Sequence, residues 1–191
     1  MNTLVPWEVI RALWIVFAAF WLISAFRRKK TKRRENWSGR AGYVLPLVVA
    51  WMVLERPELR HTWLSTRFVP DTATIAWVGV VATAFGVFIA CWARVHLGSN
   101  WSGTVTLKEG HELIRSGPYR NIRHPIYTGI LLAMLGSVIA QGEIRGLIAF
   151  AISWFSFYIK ARREERFLAE EFGPGFDEHS RHTGMFLPRL S

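Results

Sequence analysis

The stretch G-H-E-L-I-R-S-G-P-Y-R-N-I-R-H-P-I-Y-T-G, residues 110–129, decides how the rest of the chain is read. It gathers His111, Glu112, Tyr119, Arg120, Arg123, His124 and Tyr127 into one polar segment, with apolar runs long enough to enter a bilayer on both sides. A segment of that kind belongs at a membrane face. Arg123-His124-Pro125 opens the apolar run Ile126 to Ala140, and proline is tolerated at the first helical position, which sets His124 at a helix entrance. Free backbone N–H groups at such an entrance favour an anionic group. Gly110 and Gly117-Pro118 punctuate turns, so the residues between them fold back over the entrance as a loop. The arrangement suggests a pocket for a small charged cofactor.

Outward from this stretch, apolar residues come in blocks: Leu13 to Phe26, Ala41 to Leu54, Thr72 to Ala93, Ile126 to Ala140 and Leu147 to Ile159, with nearly all the charge in the gaps. This is membrane patterning rather than amphipathic alternation. The third block matches the ~20 residues of a spanning helix, and the others reach that length with polar or aromatic flanks. The expected fold is therefore all-α and polytopic, with about five membrane helices. Residues 1–94 carry three of them; residues 95–191 form the cofactor-binding and catalytic region with the last two helices and a cytosolic tail, the whole making one integrated domain. Ala161, Leu168 and Phe172 recur at helical spacing, so the fifth helix continues out of the membrane to Gly173-Pro174-Gly175.

The net charge of +10 does not point to nucleic acid, because its main cluster, Arg27-Arg28-Lys29-Lys30 with Lys32-Arg33-Arg34, directly follows the first apolar block. Such a cluster is a positive-inside determinant. It sets the N-terminus outside and brings Arg94 to Arg123 and the C-terminal tail to the cytosol, although Arg56, Arg60 and Arg67 fall in a loop assigned to the outside. The first block is not a signal peptide, its N-terminal flank carrying Glu8 and Arg11 without net positive charge. Cys91, the single cysteine, excludes an intramolecular disulfide and any multi-cysteine metal site. Neither H-E-x-x-H nor a dense histidine cluster occurs, and no metal is expected.

On the predicted cytosolic side the chain offers a carboxylate at Glu164 or Glu165, aromatic faces at Tyr119 and Tyr127, and an anion site at Arg123 with His124-Pro125. These three types suit S-adenosylmethionine: an acid for its ribose or ammonium, tyrosines for its sulfonium, a helix entrance for its carboxylate. Phosphate-bearing ligands would fit the same residues, and no glycine-rich nucleotide motif decides between them.

His111-Glu112-Leu113-Ile114, Gly117-Pro118-Tyr119-Arg120, Arg123 to Gly129 and Glu164-Glu165 followed by Phe172-Gly173 resemble the signature of the isoprenylcysteine carboxyl methyltransferase family. That family is related to the membrane phospholipid N-methyltransferases, which share R-H-P-x-Y-x-G and the paired glutamates. The resemblance covers about residues 95 to 190. It implies a membrane methyltransferase in which the last helices and the cytosolic tail enclose S-adenosylmethionine, while a lipid or prenylated acceptor enters from the bilayer. By position, His111, Glu112, Leu113, Ile114, Tyr119, His124, Pro125, Tyr127 and Glu165 match the family's cofactor contacts, as does Thr104. Glu164 is left to the solvated face or to substrate. Where the family places a substrate-binding arginine, this chain has Ala161, with Lys160 and Arg162 beside it; Arg162 and Glu164 are therefore the expected catalytic residues. The alternatives are a phospholipid N-methyltransferase, a nicotinamide-dependent membrane reductase of similar architecture, and a non-enzymatic adaptor acting through the basic cluster.

Overall fold

The computed structural model describes residues 4–24, 31–108, 110 and 112–189. The basic residues Arg27 to Lys30 and the candidate His111 lie outside the described residues. The elements in chain order are α1 (Leu4–Ser24), β1 (Thr31–Arg34), α2 (Trp37–Glu55), α3 (Ala73–Leu97), β2 (Thr106–Lys108), α4 (Pro125–Gln141), α5 (Ile144–Phe172) and α6 (Pro174–His182). Helices α1, α2, α3 and α5 are long and apolar enough to cross a membrane, and α4 is a shorter apolar helix of 17 residues. The chain is thus a polytopic helical membrane protein. Isoleucines, leucines and valines on the outward faces, such as Ile15, Leu45 and Val81, are exposed and suited to lipid.

Local sequence sets most of the helix ends. The side chains of Asn36 and Thr72 accept from Gly39 N (2.9 Å) and Ile75 N (3.3 Å) at the starts of α2 and α3. Helix α4 begins at Pro125 with His124 as its N-cap, as the sequence predicts. Gly142 (φ 72°) and Gly173 (φ 49°) close α4 and α5 in the positive-φ region that glycine tolerates, so α5 does run on to Gly173.

Helices α3 and α4 form an antiparallel pair in which backbones touch. Gly79 faces Gly136 and Gly86 faces Gly129; a Cβ on Gly86 would lie 2.3 Å from Ala133 N. With no hydrophobic driving force inside lipid, such close approach through small residues is what holds two membrane helices together. Thr83, fully buried in this seam, donates to Gly79 O at 2.8 Å, so its hydroxyl is not left bare in hydrocarbon. Helix α2 lies along α5, Ser156 Oγ donating to Tyr43 O at 2.5 Å and Arg145 Nη1 to Leu54 O at 2.7 Å. Helix α1 leans on the α3/α4 pair through Arg94 Nη2 to Ser24 O (2.5 Å) and Trp14 Nε1 to Ser137 Oγ (3.0 Å).

The end of the bundle holding Gln141 explains one unexpected charge. Arg67 donates to Gln141 O at 2.8 Å, while Phe68 N bonds Gly142 O (2.8 Å) and Ile144 N bonds Thr66 O (3.0 Å). Arg67 is therefore placed on the last carbonyl of α4, a favourable place for a cation. At the opposite end the C-termini of α1 and α3 meet the N-termini of α2 and α4 and the long extension of α5. There β1 and β2 pair antiparallel, Arg34 opposite Thr106, and Glu35 N continues the pairing to Val105 O at 3.1 Å. The apolar blocks give no sign of this ribbon. A small core of Ala93, Trp101, Tyr119, Ile126, Tyr127 and Ala161 fills the space beneath it.

Candidate active site

The loop before α4 is held from two directions. Gly117–Arg120 makes one 3-10 turn that buries Tyr119, and the C-terminal segment after α6 is stitched to Asn121, Arg123 and the first residues of α4. Gly184 N donates to Asn121 O (3.1 Å), Arg123 N to Gly184 O (2.9 Å), His124 N to Met185 O (3.0 Å) and Thr128 Oγ1 to Phe186 O (2.7 Å). His124 is consequently roofed by the tail, with the edge of Phe186 at 6.2 Å between ring centroids.

Under this roof lies a cluster of charges. Arg123 Nε donates to Glu165 Oε1 at 2.7 Å, and its Nη1 donates to the carbonyls of Ser180 (3.2 Å) and Thr183. His124 stands between both glutamates, Nδ1 3.4 Å from Glu164 Oε2 and Nε2 3.3 Å from Glu165 Oε1. The Nε2 contact is electrostatic, since that nitrogen is not aligned for a hydrogen bond. Burial alone would lower the pKa of His124, but the two carboxylates outweigh it and raise it above the usual histidine value. His179, in α6, goes the other way: burial, then Arg115 and Arg123, hold it neutral.

Tyr127 is the hub of the far wall. Its ring stacks on His124 (5.5 Å, 5° between planes), and residues at helical spacing on α5 meet it in turn: Phe157 (5.0 Å between rings), Lys160 (Nζ 5.2 Å from the centroid) and Glu164, whose Oε1 accepts from the tyrosine hydroxyl at 2.6 Å. Lys160 Nζ also donates to Gly103 O at 2.9 Å and lies 5.4 Å from the Tyr43 centroid. Tyr43 donates to Glu35, which also accepts from Val105 N at 3.2 Å. The loop 101–105 is thereby fixed from both sides.

Between that loop, the α4 entrance and α5 opens a pocket of about 120 Å³. Tyr119 Oη, Asn100 Oδ1 and Thr106 Oγ1 belong to its wall and are buried without a hydrogen-bond partner among the described residues. Buried polar atoms without partners are costly, so three of them around one cavity mark a place for a polar ligand. Burial, and then the charge of Glu164, raise the pKa of the Tyr119 phenol, which stays a hydrogen-bond donor.

Of the residues singled out from sequence, Thr104, Tyr119, Arg123, His124, Tyr127 and Glu164 meet in this wall. Glu165 does not. It sits behind His124 on Arg123, so the expected orientation of the two glutamates is reversed: Glu164 faces the pocket and Glu165 ties the fold. Arg162 is also displaced, its side chain 55% exposed and 3.9 Å from Glu165 Oε2. Ala161 is fully buried in the core, where a long cation has no room. Pro125 starts α4 without entering the wall; Glu112 is exposed, Leu113 half-buried, and Ile114 packs against the core. Asn100, Trp101 and Thr106 join the wall without having been chosen. The first two stand where the sequence turns polar after α3, a usable signal. Thr106 and the neighbouring Glu35 reach the site only through pairing between segments about 70 residues apart, which no local pattern reveals.

The phospholipid methyltransferase family model matches residues 74–175, more than half of the chain. Over 149 residues the chain is 30% identical to the cobalt-zinc-cadmium resistance protein CzcN of Cupriavidus metallidurans, covering 78% of this chain and 62% of that protein. It is 28% identical over 135 residues to a "Probable protein-S-isoprenylcysteine O-methyltransferase" of Oryza sativa subsp. indica, covering 69% and 65%. With the protein-S-isoprenylcysteine O-methyltransferase of Dictyostelium discoideum the identity is 26% over 133 residues, covering 67% and 56%. The matched region thus spans less than two thirds of these relatives' own length. The matched residues run from the start of α3 through α4 and α5 to the beginning of α6 and include the α4 entrance and both glutamates, so the chain belongs to the phospholipid methyltransferase family.

Proposed function

We propose that the chain is a methyltransferase using S-adenosylmethionine, and that its acceptor is the carboxylate of a prenylated cysteine. The observation that carries this reading is the wall itself: one carboxylate, Glu164, beside three buried polar atoms without partners at Tyr119, Asn100 and Thr106. Glu164 suits an ammonium or a ribose diol, and the three others suit an adenosine with many donors and acceptors. When bound, the cofactor supplies an electrophilic methyl group for in-line displacement. The protein's own part is alignment and exclusion of water: the tail roofs His124, and Tyr127 fixes the direction of Glu164.

The state of His124 favours a carboxylate acceptor. An amine reaches the site protonated and needs a base, whereas a carboxylate is already a nucleophile at neutral pH. His124, set between Glu164 and Glu165 with its pKa raised, is committed to those carboxylates rather than free to take an amine's proton. The pocket is read as cytosolic because β1, with Lys32, Arg33 and Arg34, lies at the pocket end of the bundle.

The test is to incubate membranes containing the chain with methyl-labelled S-adenosylmethionine and N-acetyl farnesylcysteine, then treat the products with base. Label released as methanol is expected. Label in base-stable lipid amines would instead identify the phospholipid N-methyltransferase, and a thermal shift with a reduced nicotinamide alone would identify the reductase.

A further inference from the structure

A second cavity, of about 930 Å³ and so several times larger than the pocket beside His124, lies at the other end of the bundle. Helices α1 and α5 flank α4 there, and the last residues of α2 complete the rim. The lining changes character with depth. Around Gln141 it carries Arg11, Glu55, Glu143 and Arg145; farther in it is formed by Trp14, Ile130, Met134, Ala149 and Phe150. The α4 wall runs from Gln141 to Ile130, about 16 Å at 1.5 Å per residue, which is half of the roughly 30 Å of hydrocarbon. A cleft with a charged rim and an apolar shaft one leaflet deep has the form of a membrane lipid, head and chain. Trp14 Nε1 donates to Ser137 Oγ at 3.0 Å, and the serine donates on to Ala133 O at 2.9 Å, so these polar groups of the shaft ask nothing of an occupant.

The rim selects the head. Arg145 is buried; its Nε donates to Glu143 and its Nη1 to Leu54 O at 2.7 Å, while Nη2 has no partner among the described residues. A buried guanidinium with open donors at the end of a cavity suits a phosphate. Arg11 brings a second cation, its Nη1 on Glu8 at 2.9 Å. Glu55 is exposed at the same rim and makes no ion pair among the described residues. Two arginines and two glutamates balance, so the rim favours a head that carries both signs over one that is only anionic. A primary ammonium can donate to Glu55; a quaternary one, with no N–H, cannot.

We infer that this cleft holds one phosphatidylethanolamine of the leaflet opposite the His124 pocket, its phosphate on Arg145 and Arg11, its ammonium on Glu55 and one acyl chain in the shaft between α1, α4 and α5. The site is independent of the reaction proposed above. The head lies about 25 Å along α4 from His124, so this lipid is no methyl acceptor; it joins α1 to the α4/α5 side of the bundle.

The test is to titrate detergent-solubilised protein with dioleoyl phosphatidylethanolamine, phosphatidylcholine or phosphatidylglycerol, counting bound lipid by native mass spectrometry and following the unfolding temperature. One phosphatidylethanolamine should be retained per chain at a mole fraction at least about tenfold below that required by either other lipid, with a matching rise in unfolding temperature. Glu55→Gln, at an exposed side chain, should bring phosphatidylethanolamine and phosphatidylcholine together. Met134→Trp, which puts an indole into the shaft, should abolish retention of all three; if that variant fails to fold, Glu55→Gln decides alone. Equal retention of the three lipids by wild type, a preference for phosphatidylglycerol, a preference for phosphatidylethanolamine that survives Glu55→Gln, or undiminished retention by a folded Met134→Trp would each overturn the inference.

Discussion

Tyr127 and Tyr119 stand in opposite situations although both rings are buried: the hydroxyl of the first is bonded to Glu164, and that of the second has no partner among the described residues. Tyr119→Phe therefore removes a group that costs the empty protein stability. Its unfolding temperature without cofactor should stay the same or rise, while S-adenosylmethionine binds about tenfold more weakly, the loss of roughly 1–3 kcal/mol expected for one buried hydrogen bond. A drop in the unliganded unfolding temperature would mean that the hydroxyl serves the fold. The two glutamates separate in the same way. Glu165→Ala strands the Arg123 guanidinium in a nearly closed site and should cost about 3 kcal/mol of stability, read by thermal unfolding in detergent. Glu164→Gln should raise the Michaelis constant for the cofactor roughly tenfold with the fold intact; the reverse pattern would restore the assignment of Glu165 to the pocket. His124 adds a pH dependence. Its folded pKa is raised, so its stabilising contribution is complete below the unfolded value of about 6.5 and is lost as pH rises through the folded value. Unfolding temperature should fall on that alkaline side, and His124→Gln should flatten the fall.

Among the elements, the α3/α4 pair is the least tolerant of added volume. A side chain at Gly86 must push backbone atoms of α4 that lie 2.3 and 2.5 Å from where its Cβ would be, so Gly86→Val should cost about 1–3 kcal/mol or more. If the variant were as heat-stable as wild type, the close contact would not be what joins the helices. Much of this architecture was legible in advance. Five apolar blocks, the proline at the start of α4 and the glycine after Phe172 each act locally, through solubility in lipid or backbone freedom. The ribbon and α6 were not legible, because 31–34 and 106–108 carry no period of their own and become strands only against each other. The glutamates show a subtler limit. Adjacent helical residues point about 100° apart, which says that one of them faces the pocket. Which one depends on helix phase, and that is set by Ala161, whose burial in the core turns Glu165 inward beneath His124 and leaves Glu164 beside Tyr127.

For the molecule as a whole, the length of α4 matters more than any single contact. Its 17 residues rise about 25 Å, against roughly 30 Å of hydrocarbon, and its far end is tied to the loop of Arg67. With that far end at the opposite face of the bilayer, the shortfall of about 5 Å would fall at His124 and put the mouth of the pocket below the plane of the headgroups. In the proposed reaction a group hung on a bilayer-soluble tail would arrive there by lateral diffusion without entering water, and the governing concentration would be counted per lipid and not per litre. With protein and acceptor held at fixed bulk amounts, adding inert lipid to the vesicles should slow the initial rate in proportion to the falling mole fraction of acceptor. Adding buffer to the same vesicles should leave the rate per protein unchanged.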